Sequence, residues 1–180
     1  MPIPEFTDDY HLPPGEHVCT FNEVRARFGC AGQQRQKVWN VFARCYDRIQ
    51  ELRLNPELVL LDGSFVTGRP DPHDVDAALL LSMEDVRKAL EVADDEDKEA
   101  IRLFANIYPG MSSEGLIRCL FGAHMIFAFD EGMLATWSLF FRMGVNGRLR
   151  DPDPDRDPPW VRRPAEKGIL RVHTRGGDGP

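Results

Sequence analysis

The stretch LLDGSFVTGRPDPHDVDAALLL, from Leu60 to Leu81, decides the fold. Two runs of buried-strand character flank a loop rich in Gly, Pro and Asp, and such punctuation separates strands. A parallel crossover needs a dozen or more residues, so the short loop predicts an antiparallel pair. Gly63 and Ser64 close the first strand, and Asp74 and Asp76 fall on the second. Alternation along a strand sets Asp74 and Asp76 on one face and turns Val75 to the other. Two carboxylates roughly 6 to 7 Å apart repel each other unless a cation sits between or above them. Hard oxygen donors of this kind suit Mg²⁺, which takes one or two protein carboxylates with waters and substrate phosphates. Gly63 permits close approach to a phosphate, and the Ser64 hydroxyl and amide can donate to it.

Working outward, residues 1 to 19 hold four prolines and are expected to run extended over the surface. Thr20 and Glu23 form a capping-box pattern for a short helix ending near Gly29. Apolar spacings of three and four predict a long amphipathic helix from Gln33 to Leu54. Ser82 and Asp85 suggest a second capping box, with a helix to about Ala93. The acidic run DDEDKE favours the start of a further helix, to about Tyr108. GAHMIFAF, with its β-branched and aromatic residues, reads as a third buried strand, and Asp130 as the cap of the helix after it. Residues 151 to 164 carry five prolines and read as a solvated linker or extended arm. KGILRVHT alternates like a strand returning to a sheet edge. The organisation expected is one domain over 1–150, the arm over 151–164, and a terminal strand and tail over 165–180.

Composition narrows the classes. The chain has 180 residues, 42% of them hydrophobic and 28% charged, the balance of a globular protein with a real core. Its net charge of −7 lacks the basic footprint of a nucleic-acid binder. Cys19, Cys30, Cys45 and Cys119 show neither metal-site nor disulfide-framework spacing. They are read as reduced thiols of a cytoplasmic protein. The longest apolar run, Cys119 to Phe129, is too short to span a membrane, and the start carries no secretory pattern.

At Gly63, Ser64, Asp74, Val75 and Asp76 the chain resembles the nucleotidyltransferase superfamily that includes DNA polymerase beta. Its fingerprint is an apolar-flanked Gly-Ser followed about ten residues on by Asp-hydrophobic-Asp; Leu61 and Ala77 supply the flanks. With LPPGEH near the start and KGIL near the end, the wider run is similar to a group of small bacterial and phage nucleotidyltransferase-like proteins. The resemblance implies an α+β fold, a small mixed or antiparallel sheet backed by helices. It implies transfer of a nucleoside monophosphate from an NTP to a hydroxyl acceptor. Asp74 and Asp76 would be catalytic and hold Mg²⁺, in one- or two-metal form, while Gly63 and Ser64 would steady the phosphates. The superfamily has a third carboxylate on a later strand, and that position falls on His124, a poor substitute ligand for Mg²⁺. Asp130 and Glu131 lie nearby, at the strand's end.

Other residues have plainer readings. Asp62 is expected to face away from Gly63 and act structurally, and Arg69 to be a solvated loop arginine. Lys167 and Arg171 flank the terminal strand and are within conceivable reach of an anion. Arg118, six residues before His124, echoes the spacing of a helical ribonuclease family, but Gly122 interrupts the helix this would need. Trp39, Phe42, Tyr46, Phe121, Phe127, Trp137 and Phe140 recur at core spacing, and Trp160 stands ready to dock on the domain or a partner. Two classes therefore stay open. One is an Mg²⁺-dependent enzyme acting on NTP; the other is a catalytically deficient nucleotide-binding or antitoxin-like protein on the same fold, with a protein partner for the acidic arm.

Overall fold

A computed structural model describes residues 3–105, 122–174 and 179–180. The architecture is α+β, with one five-stranded mixed sheet. In chain order the strands are β1 (Gly15–Cys19), β2 (Leu58–Asp62), β3 (Asp76–Leu80), β4 (His124–Ala128) and β5 (Gly168–His173). Their spatial order is β1-β5-β2-β3-β4. The motif strands β2 and β3 are antiparallel, with Asp62 opposite Asp76. β4 runs parallel to β3 with His124 opposite Asp76, and β5 runs antiparallel to β2 and parallel to β1.

The α-helices among the described residues are α1 (Phe21–Val24), α2 (Gln33–Glu51), α3 (Met83–Val92), α4 (Asp95–Phe104) and α5 (Glu131–Met143). α1 starts at the expected capping box: Glu23 N donates to Thr20 Oγ1 and Thr20 N to the Glu23 carboxylate. A π-helical turn, Arg25–Gly29, continues it to the expected end. α2 stops three residues early, at Glu51. Ser82 caps α3 through the amide of Glu84; no reciprocal bond from Asp85 is present among the described residues. Asp94 caps α4, and the expected end of that helix at Tyr108 lies outside the described residues. Asp130 caps α5 through the amide of Met133.

Alternation sorts each strand between two cores. Val59, Leu61, Ala77, Leu79, Met125 and Phe127 pack into the larger core, with Phe42 and Ile49 of α2 and Ile101 of α4. Leu58, Leu60, Ala78, Leu80, Ile126 and Ile169 face the other way, onto Leu134 and Phe141 of α5. Burying one Leu or Phe stabilises by about 1.5 to 3 kcal/mol, so both faces are held by hydrophobic burial.

Two expectations about the chain ends are corrected. The first 19 residues contain β1, and Ile3, Tyr10, Leu12 and Cys19 are buried. β5 is an interior strand, because β1 takes the edge beside it. Cys19 and Cys45 are buried free thiols, pushed up to about 12 by burial; Cys30 is exposed and free, and Cys119 lies outside the described residues. Trp39, Phe42, Tyr46 and Phe127 are core residues as expected, whereas Phe140 is 41% exposed. Phe121 lies outside the described residues.

Candidate functional site

The α5 face of the sheet is apolar along most of its length and turns polar at one end. Leu58 and Leu60 of β2 precede Asp62, and Ala78 and Leu80 of β3 follow Asp76. Because paired residues of neighbouring strands share a face, Asp62, Asp76 and His124 form one row across β2, β3 and β4. Lys167, immediately before β5, extends the row, with its Nζ 2.7 Å from Asp62 Oδ1. That contact is a close ion pair. His124 Nδ1 meets Asp76 Oδ1. Burial pushes the Asp62 carboxyl up from its ordinary value, and the charge of Lys167 opposes it.

The row floors a cleft of about 530 Å³. Gly63, Ser64 and Asp74 join Asp62, Asp76, His124 and Lys167 in lining it. The motif residues are thus brought together, with one correction to their setting. β3 begins at Asp76, so Asp74 lies in the extended approach to the strand; Val75 between them is buried in the opposite direction, and the alternation survives.

Gly63 has a specific reason to be glycine. Its φ of +79° lies in the left-handed region, and a Cβ there would stand 1.8 Å from Asp76 Oδ2. The space left by the missing side chain is occupied by the Asp76 carboxylate. This turn also ends the strand alternation, which corrects the reading of Asp62. Asp62 faces its cross-strand neighbour Asp76 and belongs to the cleft.

The loop after Gly63 is held from behind by a residue whose role the sequence did not reveal. Arg35, at the start of α2, is buried and donates to the carbonyls of Phe65, Thr67 and Arg69 at 2.6, 2.7 and 2.5 Å. Burial lowers its pKa, against the opposing charges of Tyr10 and Asp71. Three carbonyls on one guanidinium fix the path from the short 3₁₀ turn Ser64–Val66 to Arg69. The only sequence signal was an arginine in an otherwise polar first turn.

Arg69 is likewise not a solvated loop arginine. Its Nε and Nη2 donate to both Asp157 oxygens at 2.7 and 2.5 Å, a bidentate ion pair. The Tyr10 hydroxyl donates to Asp157 Oδ1. Burial favours the protonated Asp157, but Arg69, Tyr10 and the amide of Asp153 together hold its carboxyl below the ordinary value. Residues 151–164 are thereby drawn against the domain, with Asp157 and Val161 buried, and they form one wall of the cleft. Trp160 meets Tyr10 edge-on at 6.2 Å and stays half exposed.

Lys167 lines the cleft, whereas Arg171 pairs with Glu16 at 2.7 Å. Asp130 is occupied as the α5 cap, and Arg118 lies outside the described residues.

A family model matches residues 4–173, nearly the whole chain. The chain belongs to the family of unknown function DUF6932. No curated protein and no solved structure matches it. The DUF6932 match runs from the N-terminal segment through β5, so it includes the arm as well as the motif strands.

The donor set can be judged for Mg²⁺ on its own chemistry. Asp74 and Asp76 are hard oxygen donors lining one cleft, the one or two carboxylates that Mg²⁺ commonly takes from a protein. Among the described residues no group of three or more His, Cys, Asp and Glu forms a ready-made cage. Asp76 must share its carboxylate with His124. The two aspartates fit an ion that brings waters and phosphate oxygens with it. No helix among the described residues is long and apolar enough to cross a membrane.

Proposed function

We propose that this DUF6932 chain is nucleotidyltransferase-like, binding an NTP with Mg²⁺ in the cleft and transferring a nucleoside monophosphate to a hydroxyl acceptor. The observation that supports this best is the convergence of the Gly63-Ser64 turn and the Asp74–Asp76 segment on one cleft, at the same end of an antiparallel pair. Asp74 and Asp76 are the residues that would hold Mg²⁺, which supplies charge neutralisation for the phosphates and the departing pyrophosphate. Ser64 offers its hydroxyl and amide to the phosphates. Lys167 adds a positive charge on the same sheet face, kept beside the row by Asp62. Arg35 and Arg69 hold the loop and the far wall in place, so the site is positioned before ligand arrives.

A second reading is favoured by one observation. The third side chain of the row is His124, where the superfamily resembled has a carboxylate. On that reading the cleft binds nucleotide without transfer, as a sensor or an antitoxin-like partner.

Thermal stability with Mg²⁺ and each NTP, measured on wild type and on Asp74→Ala/Asp76→Ala, tests the site. A ligand at 100 times its Kd stabilises by about 2.7 kcal/mol. The expected result is a rise in Tm in wild type alone, with pyrophosphate released when an acceptor is present. A rise without pyrophosphate selects the second reading, and no rise with any NTP refutes both.

A further inference from the structure

The cleft has an exposed rim as well as a buried inner end, and the charge of its lining differs from that of the molecule. Among the described residues it is lined by six arginine and lysine side chains against five aspartates, formally +1, in a chain of net charge −7. The remaining surface is therefore the acidic part, and the cleft is where an anion is least repelled. The excess is concentrated on the wall after α5, where Arg148, Arg150 and Arg163 face one carboxylate, Asp151. Arg163 pairs with it at 2.6 Å and Arg148 only loosely, at 3.6 Å. Arg150 is exposed and makes no ion pair among the described residues. Two guanidiniums share Asp151 and the third has no carboxylate, so three positive charges against one negative leave about two unneutralised.

Arg148 and Arg150 stand on a segment distant in sequence from Gly63 and Ser64, and Arg163 lies four residues before Lys167; Gly63, Ser64 and Lys167 serve the inner end. We infer that Arg148, Arg150 and Arg163 form the acceptor subsite, and that the acceptor is a small hydroxyl compound bearing a phosphomonoester. The inference rests on the nucleotide reading of the inner end. Guanidinium groups suit a phosphomonoester because their planar donors match its oxygens in pairs. A polynucleotide fits less well, since beyond the cleft its phosphates would meet an acidic surface instead of the basic track they need. A small phosphorylated compound places one dianion at the rim and its hydroxyl inward.

Ribose 5-phosphate, ribose and a short single-stranded RNA serve as probes in titration calorimetry, with and without MgATP. The proteins are wild type, Arg148→Gln/Arg150→Gln and Asp74→Ala/Asp76→Ala. The expected result is that ribose 5-phosphate binds wild type and ribose does not. The arginine variant should lose tenfold or more for ribose 5-phosphate, about 1.4 kcal/mol, while keeping its affinity for MgATP. The aspartate variant should show the reverse. An arginine variant that loses MgATP instead shows that these residues serve the triphosphate, and overturns the inference. So does RNA binding more tightly than ribose 5-phosphate, or no binding of ribose 5-phosphate at millimolar concentration. Failure of MgATP to bind wild type, with ribose 5-phosphate still bound through the arginines, overturns the nucleotide reading and with it the acceptor role, leaving an anion site.

Discussion

Gly63 is the residue where backbone conformation and site chemistry meet. An alanine there has to tolerate a left-handed φ and displace the Asp76 carboxylate. Gly15, with φ +116° and nothing near its missing Cβ, supplies a control for the backbone contribution alone. Strain of this kind costs on the order of 1 to 3 kcal/mol. Gly63→Ala is therefore expected to lose more stability than Gly15→Ala and to weaken MgATP binding, which Gly15→Ala leaves intact. Urea unfolding of the two variants with a nucleotide titration checks this, and equal losses with equal binding would show that Asp76 does not depend on the gap. The glycine itself was legible in the motif, but its partner was not. Sequence suggested room for a phosphate, and the antiparallel register put the Asp76 carboxylate there instead.

Among the elements, the contact that joins most of the chain is Tyr10, Arg69 and Asp157, which ties the N-terminal segment, the motif loop and the arm together. Removing one partner of a buried pair costs about 3 kcal/mol or more, because the other charge is left uncompensated. Asp157→Asn is expected to lower stability by about that amount at neutral pH. The folded-state pKa of Asp157 is depressed, so its stabilisation is complete above the unfolded value and is lost as pH falls through the folded one. The gap between wild type and Asp157→Asn should therefore hold from neutrality down to about pH 4 and close below it. Denaturation curves over that range check the sign; a gap that widens in acid would mean that the carboxylate is not held by Arg69. Nothing local in DPDPDRDPPW marks the last of its four aspartates for burial. The contact spans 88 positions, a separation that no pattern within the arm encodes.

For the whole molecule, the decisive feature is that the last strand is interior. β5 lies between β1 and β2, and among the described residues β1 has no other strand partner. A chain ending at Pro164 is expected to lose β5 from the middle of the sheet and to leave β1 and one side of β2 with unpaired backbone. Each buried unpaired amide or carbonyl is costly, so the truncated chain should not fold cooperatively. Near-ultraviolet circular dichroism and a thermal scan report this directly. A sharp transition in the truncated chain would contradict the topology, since a strand added at an edge could be removed with far less damage.

By itself the sequence determined the local elements and the motif. The capping residues Thr20, Ser82 and Asp130, the acidic start of α4, the amphipathic register of α2 and the apolar runs of β2, β3 and β4 all act over a few residues, where propensity and hydrogen bonding decide. The antiparallel pairing of β2 and β3 also followed, because a short loop permits little else. Only the tertiary structure decided that Asp62 belongs with Asp76 and His124, that Lys167 completes their row, and that Arg35 and Asp157 hold the cleft's two sides. Those relations depend on cross-strand register and on ion pairs between distant segments, and burial fixes both only when the whole sheet is assembled.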